Sequence, residues 1–134
     1  MNPINFLETL YLGDRYCTKM IINSQGNLLE VHVNLISRVR DVSGEWNFYT
    51  DEDIENGIIV FFGLREIHFD QSGLIPNDEL YNIKATKFSE NVYEFIIETS
   101  NVSKNALTTD LMIKVLAEGV YLLDPNNPEK KIII

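Results

Sequence analysis

The sequence predicts a mainly β chain, with an antiparallel sheet curled into a roll or sandwich behind a short N-terminal helix; α+β is the alternative class. Three observations predict it. Apolar and polar residues alternate with period two, as in Leu29, Val31, Val33 and Leu35 against Glu30, His32 and Asn34. Turn-forming clusters separate such segments at short intervals. Strand and helix patterns do not take turns along the chain, as the crossovers of a parallel sheet would require.

The helix is expected over Ile4–Leu12, where Ile4, Phe6, Leu7, Leu10 and Tyr11 have amphipathic spacing; Asn2 or Asn5 would cap it and Gly13 would end it. Tyr16–Ile22 and Leu28–Ile36 read as two strands joined by the turn-rich Asn23–Asn27. Ile58–Phe62 is too apolar for an edge and reads as a central strand, with Gly63 as a bulge or bend before Leu64–Phe69. Leu80–Phe88 and Val92–Thr99 form a second hairpin around Ser89–Asn91. Leu111–Leu116 and Gly119–Leu123 follow, and Lys130–Ile134 is expected as an edge strand whose lysines discourage further pairing. Six to eight strands are expected in all.

At 134 residues the chain has the length of one domain, 1–134, and its 45% hydrophobic content suffices for a core without disulfide or metal staples. Cys17 is the single cysteine, so no internal disulfide or paired-thiol metal site is possible. A reducing compartment and a cytoplasmic location are expected. No basic-then-apolar leader opens the sequence and no apolar run reaches spanning length, so no signal peptide and no membrane segment are expected. Asn101-Val102-Ser103 is read as a chance match to a glycosylation triplet.

Net charge is −9, and residues 45–79 hold nine acids against Arg65 alone. Such a field repels a phosphate backbone and attracts a basic protein, so nucleic acid is not an expected partner. His32 and His68 lack metal-ligand spacing, Cys17 has no base or helix N-terminus beside it, and the glycines form no phosphate loop. No catalytic residue, metal ligand or cofactor is therefore expected, and an enzyme is not expected. The run from Asp51 imitates a calcium loop through Asp51, Asp53 and Glu55, but its glycine falls at the seventh position and Phe62 stands at the twelfth. A helical turn capped by Thr50 and ended by Gly57 is the expectation instead.

The candidate binding residues are Trp46, Tyr49, Asp51, Glu52, Asp53 and Glu55. Aromatic side chains supply affinity in such a surface and acids steer a cationic partner toward it. Trp46 and Phe48 share one face if extended and are expected in the core, with Tyr49 the exposed member; Arg38 and Arg40 are expected to pair internally.

Leu12–Cys17, Ile36–Asp41, Trp46–Ile54 and Ile75–Glu79 carry a resemblance. In these stretches the chain resembles small acidic bacterial proteins of unknown function, similar in outline to immunity proteins encoded beside polymorphic toxins. The resemblance implies a bacterial source and a mostly β fold, and carries no residue roles. The expected function is a protein-binding domain, an immunity protein neutralising a basic toxin through its acidic–aromatic surface. The alternative is a small-molecule or cation-binding β domain without catalysis, using a cleft between sheet and helix. Self-association into a homo-oligomer stays open, given the apolar tail.

Overall fold

Pro3–Glu8 forms helix α1, opened by Asn2, whose side chain accepts from the Asn5 amide, with Pro3 at the first helical position. The structure, a computed structural model, describes residues 1–39 and 53–134. The helix stops before the expected Gly13. Thr9 folds its hydroxyl back onto the Phe6 carbonyl, and Leu10–Tyr11 (β1) then pairs with Leu35–Arg38 (β4). Phe6 and Leu7 are its buried residues.

Arg15–Asn23 (β2) and Leu28–Val33 (β3) form the first hairpin. The expected single strand Leu28–Ile36 is instead broken at Asn34. Its amide donates to the Tyr16 carbonyl, its side chain accepts from the Tyr16 amide, and its carbonyl accepts from Asn56. The inward phase slips by one residue there: Leu29, Val31 and Val33 point to the core before it, Ile36 and Arg38 after it. The chain thereby leaves the main sheet and enters a small one, ordered β1-β4-β5 with β5 at Ile54–Glu55.

β5 corrects the helical turn expected to end at Gly57. Ile54 is buried opposite Ile36, so this stretch is pinned extended. Gly57 sits where a Cβ would lie 2.6 Å from Ile36 Cδ1, which explains the glycine by close packing and not by helix termination.

The main sheet is antiparallel throughout, with nine strands in the order β12-β11-β6-β3-β2-β8-β9-β10-β7. Its remaining members are Ile58–Phe62 (β6), Glu66–Phe69 (β7), Glu79–Ser89 (β8), Val92–Val102 (β9), Thr108–Ala117 (β10), Gly119–Asp124 (β11) and Asn127–Ile132 (β12). β6 is central, as its apolar run predicts. β12 is an edge carrying Pro128, Lys130 and Lys131, three devices that hinder further pairing. Twelve strands form among the described residues, more than the six to eight expected. The excess comes partly from the two-residue β1 and β5 and from the break at Asn34.

The sheet coils on itself. Phe61 on β6 and Phe95 on β9 have three strands between them, a path of about 19 Å if flat. Their rings nevertheless meet edge to face, with centroids 4.9 Å apart. The corner is a bent ribbon: β6 pairs with β11, and after Gly63 and Glu118 the same two chain segments continue as β7 pairing with β10. Gly63 turns it with φ +60, while Glu118 donates its amide to the Phe62 carbonyl. β7 and β12 remain open edges, so the roll is no closed barrel. One apolar cluster fills it, including Phe6, Leu29, Val31, Ile59, Phe61, Phe95, Ile97, Ile113 and Leu122.

Candidate functional site

Trp46, Tyr49, Asp51 and Glu52 lie outside the described residues, as do Arg40, Phe48 and Thr50. Asp53 and Glu55 are described, and both are exposed. Ile54 between them turns inward, so strand alternation puts the two carboxylates on the outer side together.

The other described acids of the negative quarter occupy two further places. Glu66 and Asp70 begin and follow β7; Asp78 and Glu79 precede and open β8. Asp70 accepts from the Met112 amide and Asp78 from the Ser100 hydroxyl. Among the described residues the ion pairs are Arg65–Glu118, Lys84–Glu98 and His32–Glu30, and none uses an acid of this quarter. Arg38 is buried, with its Nε donating to the Thr9 hydroxyl and its guanidinium over the Phe6 ring.

A row of backbone bonds links two of these acidic groups. Glu79 pairs with Tyr16, the Asn34 amide donates to Tyr16 O, and the Asn56 amide donates to Asn34 O. The Glu55 end of β5 and the Glu79 end of β8 thus lie about three strand spacings apart, roughly 14 Å. Tyr16 stands between them, 45% exposed, with its side chain on the same face as the directly opposed Glu79. It is the aromatic that sequence reading missed. Its strand pattern marked it as one more β residue, and only its register opposite Glu79 with an exposed side chain singles it out.

That departure makes a groove. β2 pairs with β8 at Arg15 and Tyr16 only; the Cys17 amide adds one bond to Asp78 O, and the two backbones then diverge. The gap is a groove of about 920 Å³, with β2 on one side and Gly73–Asn77 on the other. Met20, Ile22, Phe69, Leu74 and Ile75 make it apolar, and among the described residues Lys19 is the one charged member of its lining. Met20 and Ile22 sit opposite the core residues Val31 and Leu29, on the inner face, yet Ile22 is 53% exposed because no strand covers it.

The far wall is held rigidly. Asn77 mimics a strand residue: its Nδ2 donates to Val102 O at 3.2 Å and its Oδ1 accepts from Val102 N at 2.8 Å. Asn101 donates to Ile75 O, and the Thr99 hydroxyl donates to Glu79 O. These bonds give the Ile75–Glu79 stretch a structural reason and hold Ile75 out toward solvent, 65% exposed. A second, smaller cavity of about 460 Å³ lies between α1 and β8, where a ligand cleft was expected.

Cys17 is buried beside the groove, and burial pushes its thiol pKa upward against the opposing effect of the Lys19 backbone. His32 contacts Glu30 at 3.2 Å and His68 is exposed on β7, opposite Lys114. Among the described residues no three His, Cys, Asp or Glu side chains converge, and no helix is long and apolar enough to cross a membrane. The site thus brings together an apolar wall, the unpaired side of β2 and an exposed aromatic beside carboxylates.

A family of unknown function, DUF6258, matches the chain over residues 1–134, and the chain belongs to it. No curated protein and no solved structure matches.

Proposed function

We propose that this member of the family is a protein-binding domain that engages a basic protein through an acidic–aromatic rim, in the manner of a bacterial immunity protein toward a basic toxin. The observation that carries the reading is Tyr16, exposed and directly opposed to Glu79, in a backbone row that leads to Asp53 and Glu55. An exposed aromatic flanked by carboxylates that make no ion pair among the described residues suits a cationic surface: the ring gives contact area and the charges steer the encounter. The imbalance of nine acids to one arginine over residues 45–79 supports the same choice of partner.

Co-expression with a toxin encoded beside the gene tests the immunity role. Cells should survive with the intact chain and lose protection when Tyr16→Ala, Asp53→Lys and Glu55→Lys are combined. Equal killing with and without the intact chain sinks the reading.

A further inference from the structure

The geometry points to the groove between β2 and Gly73–Asn77 as the place where an extended segment of the basic partner adds to the sheet as a strand. This deepens the proposed function and rests on it for the partner's charge. Three observations carry it.

First, the side of β2 away from β3 has no backbone partner from Thr18 to Asn23 among the described residues. A row of open amides and carbonyls is satisfied by another extended backbone and not by a compact apolar molecule. Second, Met20 and Ile22 belong to the inner face of the sheet, yet Met20 is only partly buried and Ile22 is exposed. A strand laid along β2 would place every second side chain beside them on the same face, toward Phe69 and Leu74 across the groove. Third, the opposite wall is fixed in advance by the Asn77–Val102 and Asn101–Ile75 bonds, so little ordering is left for the moment of binding.

Charge selects the occupant. The charged residues flanking the lining in sequence are the acids Asp70, Asp78 and Glu79 and the cation Arg15, whose guanidinium is held by the Ser37 hydroxyl and the Tyr11 ring, with Lys19 within it. An incoming strand that alternates apolar residues with lysine or arginine would bury the first set and hold the second toward this rim. The bulge between Cys17 and Lys19, with the lysine itself, disfavours the regular pairing of two copies of β2 with each other.

The test titrates the full isotope-labelled chain with a short blocked peptide alternating lysine and isoleucine, followed by amide shifts and hydrogen exchange. Saturable shifts are expected at Thr18–Ile22 and Ile75–Asn77, with slowed exchange of the open β2 amides. Ile75→Asp, at an exposed side chain, should weaken binding about tenfold or more, and so should N-methylation of alternate peptide amides. Equal binding of the N-methylated peptide overturns strand addition in favour of a simple apolar pocket. No binding overturns it too. Shifts confined to Asp53 and Glu55 overturn the groove while leaving the acidic reading standing. A glutamate–isoleucine peptide that fills the groove equally well keeps strand addition and removes the basic partner.

Discussion

Phe61 and Phe95 touch edge to face at 4.9 Å across a sheet in which three strands separate β6 from β9. Their contact is the seam of the roll, and both rings are fully buried. Phe61→Ala or Phe95→Ala should each cost about 3–5 kcal/mol, the range for an aromatic cavity that relaxes only partly. The double variant should lose less than the sum by about 0.5–1.5 kcal/mol, the share belonging to the ring pair. Urea unfolding of the four proteins measures this; strict additivity would mean that the rings are neighbours without coupling.

Gly63 turns the bent ribbon with φ +60, and a Cβ there would run into the Glu118 side chain. Gly63→Ala should therefore destabilise by about 1–2 kcal/mol from the left-handed backbone alone. Adding Glu118→Ala relieves the contact but not the backbone strain, so most of the loss should remain. Full recovery in the double variant would place the cost in the side chain instead.

Asn77→Ala removes both bonds to Val102 and should cost about 1–2 kcal/mol. The more specific consequence is local. Amide exchange at Asn77 and Val102 should accelerate well beyond what the global loss explains, because the groove wall loses its anchor. Uniform acceleration through the whole sheet would contradict the assignment of a local wall.

Alkaline pH should weaken the fold. Burial raises the Cys17 thiol above its ordinary 9.0, and burial with the Glu30 charge raises Tyr121 above 10.0. As pH climbs past those ordinary values, the unfolded chain releases these protons before the folded one. The folded state then binds more protons and stability falls; well below the ordinary thiol value of 9.0 neither group contributes a slope. Denaturation midpoints measured across the alkaline range should decline, and Cys17→Ala should flatten the first part of the decline. A midpoint that rises with pH there would contradict the burial of both groups.

Much of the architecture was legible because local pattern and tertiary role agree. The unbroken apolar run Ile58–Phe62 reads as a central strand, and it pairs between β3 and β11 with Ile59, Val60 and Phe61 buried. Gly63 bends the chain, and the hairpin around Ser89–Asn91 forms where its turn residues indicate. Other features were illegible for physical reasons. The apolar series Leu29, Val31, Val33, Leu35 continues smoothly through Asn34, yet three Asn34 hydrogen bonds switch the chain to another sheet and bury Ile36 in place of Leu35. The acids around Asp53 suit a helix N-terminus, but the burial of Ile54 against Ile36 outweighs that preference. Of the candidate site, Asp53 and Glu55 were singled out by charge alone, and the structure places both exposed, Glu55 on β5 and Asp53 just before it. Tyr16 and the groove were not singled out, since they arise where two strands part, a relation between residues more than sixty positions apart.

The proposed function requires that the carboxylates of this surface attract a cationic partner. Affinity for the lysine–isoleucine peptide, measured as ionic strength rises from about 0.05 to about 0.5 M, tests it most directly, since the screening length shortens severalfold over that range. A fall of about tenfold or more is predicted, with a shallower fall when Asp53→Lys and Glu55→Lys are combined. Affinity that holds constant across the range would contradict the account.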